Sequence, residues 1–393
     1  MKTDEFAEFT SLLRQDLHAH PEVGLHLPRT QEKVLAALDG LPLEIATGSS
    51  CSSVIAVLRG GSPGPAVLLR ADMDALPVRE RTGLSFASTN DAMHACGHDM
   101  HTAMLAGAAH LLCARRDQLV GDVVLAFQPG EEGHGGASHM LAEGLLDASG
   151  ARPVAAYALH VMSFGLQSGT VTGRPGPLMS AADHLQVVVR GSGGHGSAPH
   201  RAADPVQAAA AMITALQVAV TREFDVFDPV VITVGVSRAG EAHNVIPQTA
   251  RFEATVRSFT PQAREKLATV LPRVLRGVAL AHGLDVEVAL LALFPPTVNH
   301  AAEADWAMEQ ARQTVGSDRV EVLPNPVAAS EDFSLVLQQV PGAMLLLGAT
   351  PSGVDPGTAP YNHAPDADFD DGVLATGARL YASLAEGRLR LTE

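Results

Sequence analysis

The sequence predicts an α/β fold, in which a mixed sheet flanked by helices carries a second, ferredoxin-like domain as an insertion. Short continuous apolar runs, typical of strands buried on both faces, alternate with helical patterns up to residue 182 and again after residue 293. Between these limits the pattern is strand, helix, strand, strand, helix, strand. The length of 393 residues also favours more than one domain. We therefore expect a discontinuous domain, 1–182 and 294–393, and an inserted domain, 183–293.

Hydrophobic periodicity gives the elements of the discontinuous domain. Apolar residues three and four apart predict a first helix that ends before Pro21, and a second helix is entered near Thr30. The alanine-rich stretch Thr102–Ala114 predicts a third helix. Buried strands are predicted at Val54–Leu58, Ala66–Leu69, Val123–Phe127, Ala155–Leu159 and Ala343–Leu347.

The inserted domain has its own set of elements. Helices are predicted at Pro205–Val220 and Arg264–Ala281. Strands are predicted at Leu185–Val189, Val230–Val236, Ala250–Val256 and Leu284–Leu291.

The charge balance argues against two classes of binding partner. The 27 Lys and Arg against 43 Asp and Glu give a net charge of −16, which disfavours nucleic acid and anionic membranes. Three cysteines (Cys51, Cys96 and Cys113) are too few for a disulfide framework and suit a reducing compartment. The amino terminus has no signal-peptide pattern, so we expect a cytoplasmic protein whose partner is a small molecule or short peptide.

Three predicted strands end in residues that are typical of catalytic or metal sites. The segments that follow them are Arg70-Ala-Asp-Met-Asp74, Gln128-Pro-Gly-Glu-Glu-Gly133 and His160. A fourth segment, His94-Ala-Cys-Gly-His-Asp-Met-His101, opens the alanine-rich helix. In open α/β sheets ligands bind at the carboxyl ends of the strands, so we expect these side chains to converge. Thiolate, imidazole and carboxylate together suit Zn²⁺, Mn²⁺ or Co²⁺, although each residue taken singly could serve packing or solvation.

Taken in order, these motifs resemble the M20 metallopeptidase family. The resemblance is specifically to its amidohydrolase branch, with hippurate hydrolases, N-acyl-amino-acid amidohydrolases and auxin-conjugate hydrolases. The resemblance covers nearly the whole chain. The segments that carry it are Arg70–Pro77, His94–Thr102, Phe127–Gly133, Asn244–Pro247, Ser330–Phe333 and His363.

The resemblance implies two divalent metal ions, Zn²⁺, Mn²⁺ or Co²⁺, and assigns roles around them. The implied ligands are Cys96, which bridges the ions, and His98, Glu132, His160 and His363. Glu131 would be the general base, and Asp74 would orient a ligand. Elsewhere in the family a His-x-Asp stands where this chain has Asp72-Met-Asp74, and the bridging ligand is an aspartate.

The resemblance also implies that the inserted domain is a lid and a dimerisation domain. His195 would reach the active site of the partner subunit and hold the developing oxyanion. Asn244 would contact the substrate, and Arg257 would hold the substrate carboxylate. Some relatives carry a further arginine after the last lid strand, but residues 284–298 contain none.

The function implied is hydrolysis of the amide between an acyl group and an amino acid. A dipeptidase or a carbamoylase would use the same metals and differ only in the acyl pocket. A metal-dependent binding protein that has lost hydrolysis is the alternative from another class. The intact Glu131, which a pure binder would not need, argues against it.

Overall fold

The structure, a computed structural model, describes residues 3–391 and separates into two compact units. The first unit comprises residues 3–176, Asn299–Asn325 and 335–391, and the second comprises Pro177–Val298 and Pro326–Ser334. The predicted domain limits at residues 183 and 293 fall inside the second unit and remain a prediction. Residues 1–2 and 392–393 of the predicted first domain lie outside the described residues.

The strands of the described chain are numbered here in chain order. They are β1 (Glu44–Thr47), β2 (Val54–Leu58), β3 (Ser62–Asp72), β4 (Val120–Gln128), β5 (Ala155–Met162), β6 (Val171–Gly173), β7 (Gly176–Met179), β8 (Ala182–Arg190), β9 (Gly194–His195), β10 (Val230–Ala239), β11 (Val245–Ile246), β12 (Thr249–Ser258), β13 (Asp285–Phe294), β14 (Thr297–Asn299), β15 (Val320–Val322) and β16 (Gly342–Gly348).

The α-helices are numbered in the same way. They are α1 (Thr3–Ala19), α2 (Pro28–Leu38), α3 (His98–Cys113), α4 (Gly136–Ala142), α5 (Pro205–Glu223), α6 (Pro261–Ala281), α7 (Ala301–Val315), α8 (Ser334–Leu337) and α9 (Leu374–Arg390).

The first unit contains an eight-stranded mixed sheet in the order β1-β2-β4-β3-β5-β16-β6-β15. Strands β4, β3, β5 and β16 run parallel to one another, whereas β2 is antiparallel to β4 and β6 is antiparallel to β16. All five buried strands predicted for the first domain lie within observed strands of this sheet. The predicted α/β fold with a mixed sheet is therefore confirmed.

Helices flank this sheet and bury its central strands. Helix α3 packs against α1 and α9, and α9 also contacts β3, β4 and β5. The strands are apolar on both faces because both faces are buried; every residue of β5, for example, is buried. Helix α3 is buried almost all round, which explains its alanine-rich sequence: small side chains let several elements approach it closely.

The second unit is built on a four-stranded antiparallel sheet in the order β10-β12-β8-β13. Along the chain its elements are β8, α5, β10, β12, α6 and β13, and each overlaps the element predicted from the sequence. Helices α5 and α6 pack against each other and on this sheet. The strands alternate buried residues with partly or fully exposed ones, as a sheet with one covered face requires. No helix among residues 3–391 is long and apolar enough to cross a bilayer.

Candidate metal and catalytic site

Three adjacent parallel strands bring most of the predicted site residues to one edge of the first sheet. Strand β3 lies between β4 and β5, and Asp72 at its end pairs with Gln128 at the end of β4. Asp74 follows β3 by two residues, and Glu131 and Glu132 follow β4. His160 lies near the end of β5. The convergence follows from the parallel arrangement, which aligns the carboxyl ends of neighbouring strands.

The turn that carries Cys96 and His98 depends on the glycine between them. Gly97 has φ 81°, in the left-handed region that favours glycine. A Cβ at this position would lie only 2.3 Å from Val161 Cγ2. A side chain at position 97 would therefore displace either the turn or strand β5. Helix α3 begins directly afterwards at His98.

The five predicted metal ligands form one cluster. Cys96 Sγ lies 3.5 Å from His160 Nε2 and 3.2 Å from His363 Nε2. His363 Nε2 lies 3.1 Å from Glu132 Oε1, and that oxygen lies 3.9 Å from His98 Nε2. Cys96 is thus the common neighbour of the two histidines, the position that a bridging ligand requires.

Two of the histidines in this cluster are held by their Nδ1 atoms. His160 Nδ1 donates a hydrogen bond to the carbonyl oxygen of Val161 at 2.8 Å, which leaves the lone pair on Nε2. His98 Nδ1 lies 3.4 Å from Asp74 Oδ1, so that its Nε2 faces Glu132. An imidazole fixed through one nitrogen by a carbonyl or carboxylate, with the other nitrogen free, is the usual arrangement of a metal-binding histidine.

His363 has a strained backbone and an open side. Its φ is 75°, and it is the only non-glycine residue among residues 3–391 with a positive φ. Such a conformation costs about 1–3 kcal/mol and occurs most often at functional sites. The side chain is 52% exposed, unlike those of Cys96 and His98. The hydrogen bonds that His363 donates to Cys96 and then Glu132 raise its pKa to about 10, so Cys96 and Glu132 favour a positive charge between them.

Asp74 accepts hydrogen bonds from the backbone of both glutamates. Its Oδ1 accepts the backbone N–H of Glu131 at 3.0 Å, and its Oδ2 accepts that of Glu132 at 3.1 Å. Both Asp74 and Glu131 are buried. Carboxylate oxygens of Glu131 and Glu132 and a ring nitrogen of His98 all lie within 4.8 Å of one another. The side chain predicted to be the base is therefore directly beside the ligand cluster.

Three further residues contact the site, although sequence analysis assigned them no role: Asp72, His101 and Asn362. His101 Nε2 accepts the backbone N–H of Val161 at 2.8 Å, so its Nδ1 carries the proton and donates to Asp72 Oδ1 at 2.5 Å. Asn362 donates from Nδ2 to the carbonyl oxygens of Val161, at 3.1 Å, and of Cys96, at 3.3 Å. Their positions in the sequence were the available signals. Asp72 lies two residues before Asp74, and His101 lies about one helical turn after His98. Asn362 directly precedes His363.

The donor set fits divalent metal ions. One thiol, three imidazoles and a carboxylate converge, together with the Glu131 carboxylate. Within residues 3–391 the buried His98 Nε2 has no hydrogen-bond partner: Asp72 Oδ2 and Glu132 Oε1 lie 3.7 and 3.9 Å away. Burial lowers the pKa of His98, but the charge of Asp72 and the hydrogen bond of Asp74 outweigh it and hold the pKa well above its ordinary value. A buried metal-donor atom without a hydrogen-bond partner, in surroundings that favour positive charge, is typical of a cation site.

The three remaining predicted residues lie in the second unit. His195 is exposed on β9, where its Nδ1 accepts hydrogen bonds from the backbone N–H of Ser197 at 3.1 Å and from its hydroxyl at 2.8 Å. Asn244 is exposed, and its carbonyl oxygen accepts the N–H of Gly196 at 2.8 Å. The Arg257 side chain lies on β12 and donates from Nη1 to Ser330 Oγ at 3.0 Å. The roles of these three residues remain predictions.

Comparison with known proteins decides the family. The model of peptidase family M20/M25/M40 matches residues 68–387, which include every residue of the ligand cluster. The chain belongs to this family. The sequence prediction of an M20 enzyme, and with it a hydrolase, is therefore confirmed.

Individual known proteins match this chain over nearly its whole length. Thermostable carboxypeptidase 1 of Saccharolobus solfataricus is 35% identical over 97% of this chain and 95% of its own. N-acetylcysteine deacetylase of Bacillus subtilis is 35% identical over 95% of each chain. A crystal structure described as a dinuclear metal-binding peptidase of the M20 family, also from Bacillus subtilis, is 31% identical with a TM-score of 0.86. That alignment covers 99% of this chain and 100% of the other.

Proposed function

We propose that this M20 chain is a metal-dependent amidohydrolase that releases a free amino acid from an N-acyl amino acid. The observation that carries the proposal is the Glu131 carboxylate beside the cluster formed by Cys96, His98, Glu132, His160 and His363. A binding protein would need the ligands but not the glutamate. The relatives support the same chemistry, because a deacetylase and a carboxypeptidase both cleave an amide next to an amino acid.

In this proposal Cys96, His98, Glu132, His160 and His363 hold two divalent ions. When bound, such ions polarise the amide carbonyl and lower the pKa of water. The softness of the thiolate and imidazoles suits Zn²⁺, Mn²⁺ or Co²⁺ rather than Mg²⁺ or Ca²⁺. Asp74 fixes both His98 and the backbone of the two glutamates, so it is a positioning residue in this scheme.

Glu131 is the proposed general base and acid. Its carboxylate accepts a proton from the attacking water and passes it to the nitrogen of the leaving amine as the C–N bond breaks. The backbone hydrogen bond to Asp74 fixes the start of this side chain, and burial keeps bulk water away from it. The products are then a carboxylic acid and an amino acid with a free amino group.

We propose that the second unit contributes the remaining groups as a ferredoxin-like lid in a homodimer. His195 of the partner subunit would hold the oxyanion, Asn244 would contact the substrate, and Arg257 would bind its carboxylate. Strand β13, at the edge of its sheet, carries Leu291 and Leu293, which are 44% and 53% exposed in the single chain. An exposed apolar edge strand is a natural site for pairing with a second copy.

Peptide cleavage is the second candidate, because one relative is a carboxypeptidase. We propose the cytoplasm as the compartment, where the three free cysteines would stay reduced.

The test is release of free amino acid from hippurate, N-acetyl-methionine and a dipeptide, detected with ninhydrin before and after chelation. We expect the two N-acyl amino acids to be cleaved, the chelated protein to be inactive, and added Zn²⁺ or Mn²⁺ to restore turnover. Cleavage of the dipeptide alone would favour the peptidase. Metal binding without turnover on any of the three substrates would contradict the proposal.

A further inference from the structure

Helix α1 places two basic side chains against α3, the helix that begins at His98. Arg14 and His18 are one helical turn apart and therefore lie on the same face of α1. Arg14 Nε donates to Asp99 Oδ2 at 2.8 Å, and His18 Nδ1 donates to the same oxygen at 2.8 Å. All three side chains are buried, with exposures of 1% or less.

Two further carboxylates contact these basic side chains. His18 Nε2 lies 3.1 Å from Glu80 Oε1, and Arg14 Nη1 lies 3.2 Å from Asp371 Oδ1. The Arg14 guanidinium also lies over the ring of Phe86, 4.8 Å from its centroid. Two basic side chains between three carboxylates, with only Asp371 partly exposed, make a hydrogen-bonded support for Asp99.

Asp99 lies inside the segment that carries the proposed ligands. It directly follows His98, and Cys96 lies three residues before it. Adjacent residues of a helix point about 100° apart, so Asp99 can be held by α1 while His98 faces the ligand cluster. Its position in the first turn also suits a carboxylate, because the helix dipole favours negative charge there.

We propose that Asp99 is a positioning residue for the metal centre. Held by Arg14 and His18, it fixes the rotation of the first turn of α3 and thereby the positions of Cys96 Sγ and His98 Nε2. The inference rests on the proposed function, since it requires Cys96 and His98 to be metal ligands. Asp99 acts from outside the ligand cluster, through the backbone of the turn.

The test measures metal affinity instead of turnover. Zn²⁺ alone is titrated into the metal-free full-length protein in competition with a chelator of known affinity. We expect Asp99→Asn to weaken binding by about 10- to 100-fold, the usual cost of removing a group that orients a metal ligand. The matched control is Asp183→Asn, which removes the buried carboxylate of the Asp183–Arg264 ion pair, 2.6 Å long, in the second unit. We expect the control to change the affinity by less than about threefold.

A double-mutant cycle separates positioning from general destabilisation. Arg14→Gln alone should weaken Zn²⁺ binding, but in the Asp99→Asn background it should have little further effect, because Arg14 acts through Asp99. His18→Gln is a milder variant that leaves the Arg14 contact and should give an intermediate loss. If Asp99→Asn does not fold, the losses in Arg14→Gln and His18→Gln decide the matter.

The outcomes distinguish the two proposals. Wild-type affinity in Asp99→Asn, Arg14→Gln and His18→Gln would overturn the positioning role and leave the metal site intact. Equal losses in Asp99→Asn and Asp183→Asn would overturn it as well. Failure of the wild-type protein to bind Zn²⁺ in this titration would instead contradict the proposed function itself.

Discussion

The Asp74 carboxylate accepts the backbone N–H of Glu131 across 3.0 Å, and this hydrogen bond links the end of one strand to the proposed base on the next. The second oxygen of Asp74 makes the same bond to Glu132, at 3.1 Å. The carboxylate also faces His98 Nδ1. One buried side chain therefore contacts the proposed base and two of the proposed metal ligands.

This arrangement predicts a large effect of Asp74→Asn. An amide has one acceptor oxygen and would turn an NH₂ toward an N–H, so one glutamate would lose its anchor. We expect kcat and Zn²⁺ affinity each to fall about 10- to 100-fold. The matched control is Asp204→Asn, since Asp204 also accepts a backbone N–H, that of Val206 at 2.9 Å, at the start of α5. Equal behaviour of the two variants would remove Asp74 from the site.

Cys96→Ser should lower metal content. A serine hydroxyl keeps its proton near neutral pH and bridges two ions poorly, whereas a thiol loses its proton to a metal. We expect occupancy to fall from about two ions per chain to one or fewer, measured by atomic emission after gel filtration. Cys51→Ser, a change at another buried cysteine, is the control and should keep its metal. Unchanged metal content and activity in Cys96→Ser would contradict the bridging role.

The buried His18–Asp99 pair makes stability depend on pH. Burial lowers the pKa of His18, but the charge and hydrogen bond of Asp99 and the hydrogen bond of Glu80 outweigh it and raise the pKa from 6.5 to about 9. A raised pKa stabilises the folded protein fully below pH 6.5, and this contribution is lost as the pH rises through 9.

The measurement compares free energies of unfolding at pH 6.5 and pH 9.5, at constant excess metal. The wild type should lose up to about 3 kcal/mol more than His18→Gln over this interval. His184→Gln, at a partly exposed histidine, should behave as the wild type does. If the free energy of unfolding changes equally with pH in the wild type and in His18→Gln, a protonated His18 paired with Asp99 is contradicted.

A mixing experiment tests the proposed lid histidine. His195→Ala and Glu131→Gln chains should each be nearly inactive, but a mixed dimer has one site with both residues intact. After random exchange about half of the dimers are mixed, and each mixed dimer has one intact site out of two. We therefore expect about a quarter of wild-type activity. No recovery, with exchange verified by native mass spectrometry, would mean that His195 acts within its own chain or not at all.

Hydrophobic patterns in the sequence predicted the strands and the site residues at their ends. They did not predict the buried ion pairs that hold those residues in place. Glu131, Glu132 and His160 follow apolar runs, and parallel strands bring such ends together. Arg14 lies on an amphipathic helix, where a charged residue is ordinarily expected in solvent; here it is buried against Asp99, 85 residues away. His363 is farther away in the sequence, 267 residues from Cys96, and only the family resemblance indicated it.

The central claim is that Glu131 is the base of a dinuclear metal site, and one pair of variants tests it most directly. Metal content and turnover of N-acetyl-methionine are measured for Glu131→Gln and Glu132→Gln. We expect Glu131→Gln to keep about two ions per chain and lose about 10²- to 10⁴-fold in kcat, because an amide cannot accept the proton of water. Glu132→Gln should lose metal. Turnover that survives in Glu131→Gln while its metal is lost would mean that the two glutamates have the opposite roles.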